Sequence, residues 1–490
     1  MKKINYIGTR DKNIKATASQ AILKGICEDG GLFVPEEFPV LDKSLEELSK
    51  LSYQDLAYEI LKLYLTDFTE EELRYCINGA YDEKFDTPVI APVVKKGDVS
   101  VLELFHGRTI AFKDMALSIL PYLMKTSAKK NGMEKEIVIL TATSGDTGKA
   151  ALEGFAGVDG IQIIVFFPED GVSPVQKLQM TTQEGANTCV VGIKGNFDDA
   201  QTAVKSIFTD AVLGAELSNN GFVFSSANSI NIGRLVPQVV YYFQAYLQMV
   251  KMGEIALGEE INVTVPTGNF GNILAGYFAK QMGLPVKTFI CASNENKVLY
   301  DFFTTGTYDK NRDFNVTTSP SMDILISSNL ERLLCILSSQ EKCKELMTSL
   351  NTDGKYSLDL TKGIIKGEYA TEEETAQAIK AMYDKSGYIM DTHTAVAYAA
   401  YEKYKKTTAD ETKTVIVSTA SPYKFTKDVL VAIDKKYEAM EFFPLMDELE
   451  KLSGVEIPTP IKGIEKRPIL HSTVIERDAI KDFVKEHLTK

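Results

Sequence analysis

Ile137-Val-Ile-Leu-Thr-Ala-Thr-Ser-Gly-Asp-Thr-Gly-Lys-Ala150 passes from a β-branched apolar run, through a turn rich in hydroxyls and glycine, into a stretch with helical spacing of apolar residues. The same unit recurs from about Thr141 to Ser418, which predicts an α/β fold. Strands are expected at Ile137–Leu140, Ile161–Phe167, Thr188–Val191, Ile261–Val265, Val286–Ile290 and Thr414–Val417. Continuous apolar runs of this kind suit a parallel sheet buried on both faces. Helices are expected between them, at Lys149–Phe155, Phe197–Phe208 and Asn272–Met282. The first ninety residues lack this rhythm. They hold Ser44–Leu65, with leucines and tyrosines at helical spacing, and are read as a separate N-terminal helical unit, residues 1–90. A catalytic α/β region follows over 91–430, with a smaller subdomain roughly at 115–225. Residues 431–490, rich in lysine and glutamate, form an extension expected to pack on that body.

The chain has 490 residues, too long for one small core, and its 44% apolar and 25% charged content is that of an ordinary globular protein. With 54 basic against 67 acidic residues the formal charge is −13, which repels nucleic acid and anionic membrane on average. Six cysteines without a C-x-x-C pair signal neither a zinc site nor a disulfide framework, and a reducing cytoplasm is expected. No metal site is expected. Apolar runs such as Ile163–Phe167 are too short to span a bilayer.

Thr141–Gly148 lies where a strand meets a helix start, and its amides and hydroxyls form a candidate anion cradle. It is not a P-loop, since no G-x-x-x-x-G-K-[ST] occurs in the chain. A second cradle, Val265-Pro-Thr-Gly-Asn-Phe-Gly-Asn272, follows another strand and lets the main chain approach a phosphate closely. No glycine has another glycine two places on, so the dinucleotide fingerprint is absent and a cofactor carrying one phosphate remains. His106-Gly-Arg-Thr-Ile-Ala-Phe-Lys-Asp114 sets a lysine among apolar neighbours, just before a helical run Met115–Met124 with an expected bend at Pro121. Desolvation lowers a lysine pKa and supplies the neutral amine that imine chemistry needs.

Taken together, these segments resemble the threonine synthase family, pyridoxal-5′-phosphate (PLP) enzymes of the tryptophan-synthase-β fold type. In that family a segment H-G-P-T-x-A-F-K-D carries the cofactor lysine. The resemblance covers nearly the whole chain. It includes Thr9-Arg10, Ala21–Gly25, Asp29–Pro35, Ser226–Arg234, Ser321–Ile324, Ser328–Leu334 and Ser418–Phe425. It implies a large and a small parallel-sheet α/β domain, PLP bonded to Lys113, and a cofactor phosphate held by Gly268, Asn269, Phe270, Gly271 and Asn272. Thr419 would face the pyridine nitrogen, and Ser144, Gly145, Asp146 and Thr147 would take the substrate α-carboxylate. Arg234, with Ser226, Asn228 and Asn231, is the candidate for the substrate phosphate, because a guanidinium forks onto phosphate oxygens.

The implied reaction converts O-phospho-L-homoserine and water to L-threonine and phosphate by β,γ-elimination and replacement, the last step of threonine biosynthesis. The rivals are a serine/threonine dehydratase, a threonine-synthase-like phospho-lyase that stops at elimination, and a non-catalytic PLP- or phosphate-binding regulator. Two positions depart from the family pattern. Arg108 and Thr392 stand where proline is usual, and Arg108 is expected to face solvent. His393 is read as a satisfied structural residue, outside the catalytic set.

Overall fold

In a computed structural model that describes residues 3–489 apart from 144, 171 and 173, the strand Ile261–Pro266 is buried along its whole length. It lies inside a six-stranded sheet of order Ile365–Tyr369, Val286–Ser293, Ile261–Pro266, Thr414–Ser418, Val99–Glu103 and Val93–Lys96. All neighbours run parallel except the last pair. Successive side chains leave opposite faces of a strand. Val263, Val265, Val415 and Val417 accordingly enter one core, while Ile290, Ile416 and Val101 enter another on the far face.

A second sheet has five parallel strands in the order Val474–Glu476, Thr188–Lys194, Ile161–Pro168, Glu136–Ala142 and Phe222–Ser225. This is the fold class expected, and all six anticipated strands are present with ends extended by up to three residues. Helix Asp146–Phe155 starts just past the end of strand Glu136–Ala142, and helix Gly271–Gln281 just past Ile261–Pro266. Both turns therefore sit at carboxyl ends of parallel strands, where α/β proteins place ligands.

The N-terminal segment differs from the purely helical unit expected, because Tyr6–Gly8, Lys15–Ala16 and Phe33–Pro35 form a small antiparallel sheet. Strands this short show no sustained alternation, which is why periodicity misses them. Ser44–Leu65 divides into helices Leu45–Leu48 and Tyr53–Tyr64, each opened by a serine cap, Ser44 and Ser52. The run at Met115–Met124 likewise divides into Asp114–Leu117 and Leu120–Lys130, with Pro121 in the first turn of the second. The C-terminal residues join both sheets. Leu445, Met446 and Leu449 of helix Phe442–Ser453 enter the far-face core of the large sheet, while Val474–Glu476 adds an edge strand to the small one. Among the described residues, no helix is long and apolar enough to cross a membrane.

Candidate active site

The segment carrying Lys113 is sewn to the turn after strand Thr414–Ser418. Phe112 N–H donates to the Thr419 carbonyl at 2.8 Å, Ser421 N–H to the Ile110 carbonyl at 3.0 Å, and Lys424 Nζ to the Thr109 carbonyl at 3.0 Å. Asp114, itself buried, accepts from Thr109 N–H and Oγ1 at 2.8 and 2.6 Å, closing the loop below the lysine. Thr419 is buried beside this seam, as the residue expected near the cofactor ring.

The Lys113 amine donates to Ser321 Oγ at 3.3 Å and stands 4.0 Å from Asp146 Oδ2. Burial lowers its pKa to about 8, with Lys424 and Arg234 adding to the fall and Asp146 opposing it. A substantial neutral fraction at physiological pH is what a lysine nucleophile or base requires. Burial alone would raise the Asp146 carboxyl, but Lys424 and Lys113 outweigh it and hold it well below the usual range. Its ion pair with Lys424 measures 2.9 Å, and Gln176 donates to the same oxygen at 2.9 Å.

The carbonyls of Gly268 and Asn269 are held from one side. The Gly268 carbonyl accepts from Ser327 Oγ at 2.6 Å, and the Asn269 carbonyl accepts from Asn329 N–H at 3.0 Å and Nδ2 at 2.9 Å. In a trans peptide the next N–H points the opposite way, so the amides of Asn269 and Phe270 face away from these partners. Phe270 takes a left-handed conformation, φ 66°, and no side chain caps the helix it opens. The first-turn amides thus have no intrahelical partner, an arrangement suited to an anion. Gly268 is required by space, since a Cβ there would stand 2.5 Å from the Ser321 carbonyl oxygen. Asn272 Oδ1 accepts from both Tyr241 and Tyr242, and its buried Nδ2 has no partner. These features, with a depressed lysine beside them, fit a cofactor bearing a monophosphate.

At the other turn, Ser144 lies outside the described residues. Thr143 Oγ1 accepts from the Gly145 and Gly148 amides at 3.0 and 2.9 Å, so the turn satisfies part of itself. The first-turn amides of Asp146 and Thr147 are the ones a helix leaves for a ligand. The Asp146 side chain repels a carboxylate; its backbone alone suits the expected role.

Arg234 is buried and donates from Nη1 to the Ala227 carbonyl at 3.1 Å, while its Nε has no partner. Burial lowers its pKa to about 10. A buried guanidinium with an unmet donor is suited to an anion. Asn231 is fully enclosed. Its amide donates to the Ile22 and Ser226 carbonyls, each at 2.9 Å, and its Oδ1 accepts from Gly233 N–H at 2.8 Å. It positions the loop and the start of the helix bearing Arg234. Ser226 Oγ accepts from Asn228 N–H at 3.2 Å, and Asn228 is exposed.

Arg108 is half-exposed and pairs with Glu153 at 3.1 Å. Three residues without an assigned role from sequence, Ser321, Asp391 and Lys424, touch this site or its supports. Ser321 and Lys424 lie in segments that carry the family resemblance, and nothing in their spacing distinguishes them from packing residues.

The family model described as the threonine synthase N terminus matches residues 5–81, that of the pyridoxal-phosphate dependent enzyme residues 94–420, and that of the threonine synthase C-terminal region residues 394–484. Human threonine synthase-like 1 is 40% identical over 94% of this chain but 62% of its own length, and that of Macaca fascicularis 41% over 96% and 64%. The chain thus spans less than two thirds of these relatives. Threonine synthase of Saccharomyces cerevisiae is 36% identical over 99% of this chain and 98% of its own. The crystal structure of the yeast threonine synthase superposes with a TM-score of 0.88 at 34% identity, covering 99% of this chain and 98% of that one. The PLP-bound threonine synthase from Brucella melitensis gives 0.86 at 34%, with both chains covered completely. With models matching from residue 5 to residue 484 and full-length relatives of the same architecture, the chain belongs to the threonine synthase family of pyridoxal-phosphate-dependent enzymes.

Proposed function

We propose that this chain converts O-phospho-L-homoserine and water to L-threonine and phosphate, with PLP bonded to Lys113. The observation that carries this reading is a buried lysine of depressed pKa that stands 4.0 Å from Asp146 and bonds Ser321, whose carbonyl packs against Gly268 of the uncapped glycine loop, with the charge of a buried arginine that has an unmet donor acting on it. Gly268, Asn269, Phe270, Gly271 and Asn272 would hold the cofactor phosphate, and Thr419 would face the pyridine nitrogen. The backbone at Gly145, Asp146 and Thr147, with Ser144, would take the substrate α-carboxylate. Arg234 would take the substrate phosphate, with Ser226 and Asn228 beside it and Asn231 holding the loop. The division at 1–90, 91–430 and 431–490 assigns the chemistry to the middle part.

When bound, the cofactor supplies an electron sink for charge developed at the substrate Cα. Lys113 Nζ, once free, serves as base for the α-proton and then the β-proton. The product fixes the order of the remaining steps. Direct displacement at Cγ would return homoserine, whereas threonine has its hydroxyl on Cβ and a methyl at Cγ. Phosphate therefore leaves Cγ, a proton enters there, and water adds to Cβ. Lys424 keeps Asp146 ionised and engaged, so that carboxylate does not take the proton Lys113 must move.

A second reading is a phospho-lyase that stops at elimination; relatives named threonine synthase-like, and not threonine synthase, are 40–41% identical to this chain, above the 36% of the yeast synthase. The product distinguishes the two. Phosphate release accompanied by threonine supports the synthase, and release of a 2-oxo acid with ammonia supports the lyase. In deuterated water the threonine should carry deuterium at Cγ, and Lys113→Ala should abolish product and label together. Six free cysteines support a cytoplasmic location, and the charge of −13 supports a small-molecule substrate without nucleic-acid partners.

A further inference from the structure

His393 lies in the first turn of helix Thr392–Thr408 and is 2% exposed. Its Nδ1 meets Asp391 Oδ2 at 2.8 Å, and its Nε2 meets the backbone N–H of Ser321 at 3.1 Å. Facing a carboxylate, Nδ1 carries the proton, so Nε2 is left as the acceptor that the Ser321 amide needs. Asp391 is fixed in turn as the helix cap, accepting from the His393 and Thr394 amides at 2.9 and 3.1 Å. The imidazole is thereby anchored from both sides.

Ser321 spends each of its polar groups at a different place. Its N–H goes to His393, its Oγ accepts from Lys113 Nζ at 3.3 Å, and its carbonyl occupies the space that a Cβ on Gly268 would need. One residue thus joins the lysine, the glycine loop and the buried His–Asp pair. Lys113 ends a flexible four-carbon stem, and the other charged groups acting on it are Asp146, Lys424, Arg234 and Asp114. Of these, Asp146, at 4.0 Å, lies beyond hydrogen-bond distance and is already paired with Lys424.

We propose that Asp391 and His393 are positioning residues for the reactive lysine, acting through Ser321, whose backbone they hold and whose hydroxyl holds Lys113 against the glycine loop. The inference rests on the reading of Lys113 as the cofactor lysine. His393 is a positioning residue because it touches neither Lys113 nor the loop directly.

The test uses the full chain with Ser321→Ala, which leaves the backbone and the His393 contact in place, and His393→Phe, which keeps a ring beside Phe425 but cannot accept from Ser321. Two quantities are read besides turnover. They are the PLP dissociation constant and the pH at which Lys113, followed by mass spectrometry of its peptide, is half-reactive to an amine reagent before PLP is added. Loss of an acceptor for the ammonium should lower that midpoint by about half a unit in Ser321→Ala and weaken PLP roughly five- to tenfold. His393→Phe should move both in the same direction. His393→Gln, whose side-chain carbonyl can accept from the Ser321 amide, should recover part of the loss and guards against a phenylalanine variant that fails to fold. Wild-type values in Ser321→Ala overturn the proposal, as do wild-type values in folded His393→Phe. Borohydride mapping separates the two claims. Cofactor fixed on another lysine would refute the Lys113 reading, whereas cofactor on Lys113 with a wild-type Ser321→Ala would refute the positioning role alone.

Discussion

The turns at 141–148 and 265–272 have the same setting, each leading from the carboxyl end of a parallel strand into a helix, yet they differ in how much of their polarity the protein satisfies. In the first, Thr143 takes two amides and Lys424 takes the Asp146 carboxylate. Neither helix is capped by the side chain of its N-cap residue, but in the second turn the groups that are bonded are carbonyls and the Asn272 Nδ2 is unmet. The same contrast separates two buried arginines. Arg332 donates from Nε to the Phe33 carbonyl at 2.7 Å and from its other nitrogens to Asn329 and the Ile230 carbonyl, whereas the Arg234 guanidinium has one bond among the described residues and an unmet Nε. Burial lowers both to about 10. A depressed pKa therefore does not separate the two arginines; unmet hydrogen-bonding capacity does.

The largest test of this contrast is Gly268→Ala. Its Cβ meets a backbone carbonyl at 2.5 Å, so the loop or the Ser321 segment must move. PLP affinity, followed by absorbance titration, should fall by about 100-fold or more, as a misplaced cradle forfeits several charge-assisted hydrogen bonds. An affinity within threefold of wild type would show that the second turn is not the phosphate site.

Next comes the arginine pair. Arg234→Lys should lower kcat/KM for phosphohomoserine by roughly 30-fold with little change in PLP affinity, because a point charge cannot reproduce a bidentate fork. Arg332→Lys should instead cost about 2 kcal/mol of stability in denaturant titration, since it strands buried acceptors. Wild-type kinetics in the first variant would make Arg234 a packing residue.

Lys424→Met probes the electrostatics of the first turn. Lys424 lowers the pKa of Lys113, so its removal should raise that value from about 8 and leave Asp146 free to pair with Lys113. The pH at which Lys113 is half-reactive to an amine reagent before PLP is added should rise by about one unit. An unmoved midpoint would remove Lys424 from the control of the lysine. The smallest effect is expected from Thr143→Val, which strands two amides and should cost about 1–2 kcal/mol of stability, with PLP affinity within twofold of wild type. A large loss of PLP binding instead would mean that the two turns do not act separately.

Continuous apolar runs made both sheets legible, because a parallel strand covered on both faces has no polar positions to interrupt it. The N-terminal sheet was not legible, as its strands are two or three residues long. Lys113, the glycine loop and Arg234 stand out in sequence as residue types that their chemistry requires. By contrast, Asn231 is expected beside the substrate phosphate through the family resemblance, and its side chain caps the helix bearing Arg234.

The sequence by itself determined the α/β alternation, a local pattern of residue type and spacing, and through resemblance the family; it also offered the segments proposed here to carry the lysine, the glycine loop and the arginine. Only the tertiary structure decided which polar groups are already used. Lys424 reaches Asp146 across 278 positions of chain, and His393 reaches Ser321 across 72. Whether a buried donor is met depends on such long-range neighbours, and one-dimensional spacing carries no record of them.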